Sequence, residues 1–292
     1  MKPEVAPFHD PATGTWSYVV SDPSTRVAAI LDPVLDFDAK SAHTAHAAAQ
    51  KLVDHVRAHD LDVQWILETH AHADHLTAAE WLHAQWPGAR VAIGSGIRQT
   101  QRTFAPVFEF GDDVPSDGSQ FDVLFEPDDR FRIGALDVAV IAAPGHTADS
   151  VAYLVGNGIG GDALFCGDTV FMPDAGTSRT DFPNADAATL YRTIQRLYAL
   201  PDETRVFVCH DYGPNGRAVA CETTIGAQKR ENIHVRADTT EADYVAMRQA
   251  RDATLPMPAL ILPALQVNLR AGALPPPSDN GVRYLRIPLD RI

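Results

Sequence analysis

The sequence predicts a layered α/β fold, on three observations. Short apolar runs alternate with helical patterns from one end of the chain to the other. Several of these runs stop at a residue able to hold a metal ion. The 12 histidines are not spread evenly, and four potential ligands crowd into residues 70–75.

The elements follow in order. Trp16 to Ser21 and Arg26 to Leu31 read as a strand pair around an Asp22-Pro23-Ser24 turn. A helix is expected from about Ala39 to His59. There Ala45, Ala49, Leu52, Val53 and Val56 keep the spacing of one buried face. Val63 to Thr69 reads as a buried strand, and His75 to Trp86 as a helix stopped by Pro87. Val91 to Ile93, Val138 to Ala143, Val151 to Val155, Leu164 to Cys166 and Val206 to Cys209 are further short strands. Between the last two, Leu190, Ile194 and Leu197 mark an amphipathic helix that Asp186 caps and Pro201 ends. A division follows into a catalytic domain over 1–238 and a packed extension over 239–292. The extension has a helix over Glu241 to Ala253 and a Pro-rich tail. Its runs Leu260 to Leu265 and Tyr284 to Leu289 are apolar enough to be expected against the core.

Composition narrows the function. The 292 residues carry 24 Lys+Arg against 38 Asp+Glu, a formal charge of −14, which argues against a nucleic-acid partner. No apolar run approaches the roughly 20 residues of a membrane-spanning helix. Met1 to Asp10 has no signal-peptide pattern, and three cysteines cannot build a disulfide framework. A cytoplasmic location is the expectation.

Glu68-Thr69-His70-Ala71-His72-Ala73-Asp74-His75 directly follows the Val63 strand. If this stretch is extended, His70, His72 and Asp74 share a face, while His75 begins a helix and points elsewhere. Neutral imidazoles and a carboxylate are ligands for Zn²⁺ or Fe²⁺. A chance H-x-H-x-D-H in such a chain has a probability on the order of 10⁻³. Three later strands repeat the arrangement, running into Pro144-Gly145-His146-Thr147, Gly167-Asp168 and His210-Asp211-Tyr212. If they are neighbours in one sheet, their ligands meet along one edge. The glycines before His146 and Asp168 allow a tight turn there.

T-H-x-H-x-D-H, P-G-H-T, G-D and H-D-Y in that order resemble the metallo-β-lactamase superfamily across Trp16 to Tyr212. The resemblance implies a four-layer αβ/βα sandwich with a metal site between sheet edges. It also implies His70, His72 and His146 at one metal position, Asp74, His75 and His210 at the other, and Asp168 between them. Gly176 to Phe182, with its R-T-D-F end, and the H-D-Y motif look like the persulfide dioxygenases of this superfamily. So do the Phe8-His9-Asp10 start and the Pro-rich end. That likeness implies oxidation of glutathione persulfide by O₂ to sulfite and glutathione on one Fe(II). His70, His146 and Asp168 would hold the iron, and His72 and His210 would stand beside it. It also implies a homodimer, with the extension as its contact.

Arg179 is the expected anchor for a glutathione carboxylate, because a guanidinium binds one bidentately. Tyr212 is a candidate hydrogen-bond donor to substrate, and Arg230 with Lys229 a weaker cation pair. Every second-site ligand is present, so spacing equally allows two Zn(II) and a hydrolase of glutathione thioesters resembling glyoxalase II. A lactonase or β-lactamase fits less well, and a non-catalytic metal-binding module is the reading from another class.

Overall fold

Alternating apolar runs become hydrogen-bonded sheets in the computed structural model, which describes residues 2–156 and 160–291. The strands of the first half are β1 (Glu4–Asp10), β2 (Thr15–Ser21), β3 (Val27–Leu31), β4 (Val34–Asp38), β5 (His43–Ala45), β6 (Asp62–Leu67), β7 (Leu76–Thr77) and β8 (Arg90–Gly94). Those that follow are β9 (Val123–Phe125), β10 (Arg130–Ile133), β11 (Leu136–Ala142), β12 (Val151–Val155), β13 (Ala163–Phe165), β14 (Arg205–Phe207) and β15 (Glu222–Thr224). The helices are α1 (Ala47–Ala58), α2 (Ala79–Gln85), α3 (Ile97–Phe108), α4 (Ala187–Tyr198), α5 (Ile225–Glu231), α6 (Glu241–Asp252) and α7 (Ile261–Asn268).

Besides a small β5-β4-β7 sheet, one six-stranded sheet runs β1-β2-β3-β6-β8-β9 and another β10-β11-β12-β13-β14-β15. They face each other across a core that includes Tyr18, Leu31, Trp65, Val138, Tyr153 and Phe165. Phe165 and Phe207 stack there with centroids 5.0 Å apart, and the Tyr18 ring meets both edge-on. Behind the first sheet, Leu52 and Val56 of α1, Leu82 of α2, Phe104 of α3 and Leu265 of α7 form a second core. Behind the other, Leu190 and Ile194 of α4 and Tyr244 of α6 cover Leu164 and Val206. The layers are therefore αβ/βα, as expected.

Local differences have local causes. The expected Ala39 helix starts only at Ala47. Residues before it fold as β5 and pair with β4, because the Lys40–Ala42 stretch turns back, with Ala42 at positive φ. The expected His75 helix starts at Ala79, since Leu76 and Thr77 pair with Leu35 and Val34. Asp186 caps α4 as read, accepting from the Thr189 backbone N–H at 2.7 Å. In the extension, α7 is buried as expected. Tyr284, Ile287 and Leu289 are 53%, 72% and 79% exposed, while Leu285 between them packs against the core and the Arg286 N–H donates to Gln266 Oε1 at 2.8 Å. Among the described residues no helix is long and apolar enough to cross a membrane.

Candidate metal centre

Cross-sheet stitches bring the strand ends together. Trp16 N–H donates to Cys209 C=O at 2.7 Å, and Val151 N–H to Thr69 C=O at 2.8 Å. The Tyr18 hydroxyl donates to Val208 C=O, fixing the strand that leads to His210. Asp149 receives the Ala71 N–H at 2.5 Å and the Thr100 hydroxyl at 2.6 Å, which ties the loop after β6 to the loop after β11. Gly145 and Gly167 both have positive φ. A Cβ at Gly145 would lie 2.4 Å from the Leu190 backbone, and one at Gly167 2.8 Å from Thr69 Oγ1. Glycine is required at both turns.

Residues 69–75 are irregular rather than extended, so the ligands do not share one face as expected. His70 joins His146 and Asp168, with one donor atom from each mutually within 4.8 Å. His72, Asp74, His75 and His210 form a second group at the same spacing. His75 precedes β7 rather than a helix, so it points into this group and not away from it. Asp168 spans the two. Its Oδ2 lies 3.9 Å from His70 Nε2 and 3.6 Å from His146 Nε2, and its Oδ1 lies 3.3 Å from His210 Nε2. The imidazoles are buried, while Asp74 is partly exposed.

The outer nitrogens are held by neighbours. His70 Nδ1 is 3.0 Å from Thr69 Oγ1, which itself donates to the Asp32 carboxylate at 3.1 Å. His146 Nδ1 donates to Arg179 C=O at 2.8 Å. Thr15 Oγ1 sits 3.3 Å from both His75 Nδ1 and His210 Nδ1. His72 Nε2 meets Asp32 Oδ1 at 3.0 Å and Glu68 at 3.6 Å. These contacts aim His70 Nε2, His146 Nε2, His75 Nε2, His210 Nε2 and His72 Nδ1 away from the supporting shell. His72 Nδ1, His75 Nε2, His210 Nε2 and Asp168 Oδ1 are buried with no hydrogen-bond partner. Buried polar atoms without partners are costly, and a cation between them removes that cost.

Burial, then the neighbouring imidazoles, push His70 well below its ordinary range and His75 down as well, which keeps both neutral and able to ligate. Burial opposes ionisation of Asp74, but the facing His210 and His75 hold its carboxyl well below the usual range. His72 goes the other way: although burial opposes its charging, the Asp32 carboxylate beside it raises it.

A cleft of about 720 Å³ opens over the centre. Its floor shows Asp74, His146 and Asp168, and Phe171 and Phe182 stand among its walls. Arg179 lines it, yet three of its N–H groups are committed. Nε and Nη2 grip Asp181 at 2.6 and 2.7 Å, and Nη1 donates to Pro256 C=O at 2.6 Å. Tyr212 is on the wall, 65% exposed, its ring parallel to His210 at 6.1 Å. Arg230 is not part of the cleft lining: its guanidinium lies outside, 3.7 Å from Glu231, and Lys229 pairs with Asp202 at 2.6 Å. Both cations thus have carboxylate partners away from the cleft lining.

Other residues at the site carried no signal strong enough to be singled out. Asn268 of α7 donates to His72 C=O and His75 C=O, both at 2.8 Å, and accepts the Thr77 N–H at 2.8 Å. Asp252 of α6 accepts the Thr180 N–H at 2.8 Å and pairs with the buried Arg248. Asp32 was visible at the end of a strand, but only its pairing with Thr69 and His72 shows its use.

Comparison with known proteins agrees with this geometry. Residues 10–210 match the family model described as the metallo-beta-lactamase superfamily. A beta-lactamase hydrolase-like protein of Agrobacterium fabrum is 51% identical over 99% of this chain, which spans 65% of that relative's length. Glyoxylase B2 of Dictyostelium discoideum is 45% identical, covering 99% of this chain and 97% of its own. The mitochondrial persulfide dioxygenase ETHE1 of Mus musculus is 26% identical over 92% of this chain and 89% of its own. Among solved structures, ETHE1 from Myxococcus xanthus superposes with a TM-score of 0.71 at 31% identity, covering 92% of this chain and all of that one. With the sandwich, the ligand loops and the family model in agreement, the chain belongs to the metallo-beta-lactamase superfamily.

Proposed function

We propose that the protein is a persulfide dioxygenase that holds one Fe(II) on His70, His146 and Asp168 and oxidises glutathione persulfide. The observation that carries this reading is the compact two-imidazole, one-carboxylate group at the cleft floor. Such a face leaves positions open for a substrate sulfur and for dioxygen. The likeness to the Myxococcus xanthus protein supports it. Iron bound there would supply the redox chemistry that lets O₂ react with a persulfide. The balance is one persulfide, one O₂ and one water giving one thiol, sulfite and two protons.

The chain's own residues do the rest. Thr69 and the Arg179 carbonyl fix the ring orientation of His70 and His146. Phe171, Phe182 and Leu260 wall the cleft and keep bulk water from the reacting sulfur. In this reading His72, Asp74, His75 and His210 hold no second ion and stand beside the iron ligands. The Tyr212 hydroxyl is offered to the substrate at the rim. The Arg179 side chain braces the wall against Pro256. A homodimer would use the exposed apolar strip of residues 284–289.

A second reading rests on a specific observation, the group of His72, Asp74, His75 and His210 with its unpartnered nitrogens. Two zinc ions shared through Asp168 would make a thioester hydrolase, in keeping with the names of the Agrobacterium and Dictyostelium relatives. Metal content of protein purified under reducing conditions separates the two. About one iron per chain supports the dioxygenase, and two zincs per chain with hydrolysis of a glutathione thioester overturn it.

A further inference from the structure

Three guanidinium groups line the cleft, those of Arg179, Arg248 and Arg251. Two of them are occupied. Arg179 is gripped by Asp181 and Pro256 C=O. Arg248 is buried, its guanidinium on Asp252 and on Thr177 C=O at 3.0 Å. Arg251, in the last turn of α6, is exposed at the cleft wall. Among the described residues its guanidinium has no carboxylate within ion-pairing distance and donates to no carbonyl. The nearby acids are already used: Asp252 by Arg248 and Thr180, Asp181 by Arg179, and Asp174 by Arg217.

We propose that Arg251 is the cation that binds a carboxylate of the substrate, and so selects anionic thiol derivatives. The inference rests on the glutathione-based reading above. Cleft polarity argues for it. The floor carries the carboxylates of Asp74 and Asp168, which repel an anionic end and leave room for sulfur. The stretch between is apolar, with Phe182, Leu255 and Met257. The outer wall is locally positive on a chain of charge −14. Its field shows at His234, which burial and then Arg248 and Arg251 push down to about 4. A tripeptide whose sulfur enters the floor therefore leaves its carboxylate beside Arg251. The ordinary alternative is that Arg251 only complements the α6 C-terminus, an interaction that needs no ligand.

The test uses metal-loaded protein and compares wild type with Arg251→Ala, Arg251→Lys and Arg251→Glu. Binding of S-methylglutathione is followed by calorimetry at low and high ionic strength, and KM for glutathione persulfide by oxygen uptake. Because the group is partly screened, the expected loss for Arg251→Ala is about 5- to 30-fold in Kd and in KM, with kcat almost unchanged. Lysine recovers part of it and glutamate worsens it. High salt weakens wild type but hardly changes Arg251→Ala. A Kd within twofold of wild type for Arg251→Ala, or no binding of S-methylglutathione by wild type, overturns the proposal. The two readings fail separately. Arg251-dependent binding without oxygen uptake keeps this anchor and removes the dioxygenase, and oxygen uptake with an unchanged KM does the reverse.

Discussion

The cleft has a floor and an outer wall, and the two are built on opposite principles. The floor is a set of buried imidazoles and carboxylates at strand ends, each oriented by a second polar group and several left without a partner. The outer wall comes largely from the segment after residue 239, where Arg248 is paired with Asp252, Arg251 is left exposed and the rest is mainly apolar. The candidate ligands are thus concentrated in the superfamily core, while the segment after residue 239 supplies wall and bracing. The extension also reaches back: Asn268 clamps two carbonyls of the ligand loop, and Asp252 holds the segment that ends at the Arg179 carbonyl under His146. Floor and wall are therefore mechanically joined although they differ in composition.

The comparison breaks most visibly at the floor. His70→Ala, His146→Ala and Asp168→Ala should each lose the bound iron and lower oxygen uptake by more than about 100-fold, because such a face has no spare protein ligand. Stoichiometric iron in any of the three, measured by elemental analysis, would show that the ligand set is wrong. His210→Ala should keep its iron while activity falls about 10- to 100-fold. Loss of one metal equivalent from an initial two would instead establish a binuclear centre.

The join between floor and wall is tested by Asn268→Ala. Three buried backbone groups lose their partner, so a destabilisation of about 2–4 kcal/mol is expected, together with weaker metal retention. Thermal melts of metal-loaded and metal-free protein would read it. A melting temperature and metal content equal to wild type would mean that the clamp does not matter.

The smallest effect lies away from both regions. Asp186→Ala removes the cap of α4 and should cost about 0.5–2 kcal/mol at pH 7. Hydrogen bonds from the Thr189 hydroxyl and N–H hold the Asp186 carboxyl below its ordinary range. A group with a depressed folded-state pKa contributes above its unfolded value and loses that contribution as pH falls. The wild-type advantage should therefore be complete near pH 6 and fade below about pH 4. Equal denaturation midpoints at pH 7 would remove the capping role.

Much of the floor was legible because ligand chemistry is local. H-x-H-x-D-H, G-H-T, G-D and H-D-Y sit within a few residues of strand ends, and the strands were readable by their apolar runs. How the ligands divide between two groups was not legible, since residues 69–75 turn irregularly and a period of two does not apply. Arg179 was found in place but engaged, because Asp181 two residues on competes for it. Arg230 lies off the cleft lining beside Glu231, a position set by how α5 packs rather than by any spacing in the sequence. Asn268 reaches the ligand loop across more than 100 residues of chain, and Arg251 reaches the cleft from an ordinary helix turn, where no spacing rule marks either.

The central claim is that iron at His70, His146 and Asp168 turns a superfamily fold shared with hydrolases into an oxygenase. The most direct measurement is oxygen consumption by iron-loaded protein given glutathione persulfide, with sulfite quantified in the same reaction. One O₂ consumed and one sulfite formed per persulfide is the expected result. No oxygen uptake by protein that carries zinc and hydrolyses a glutathione thioester would contradict it.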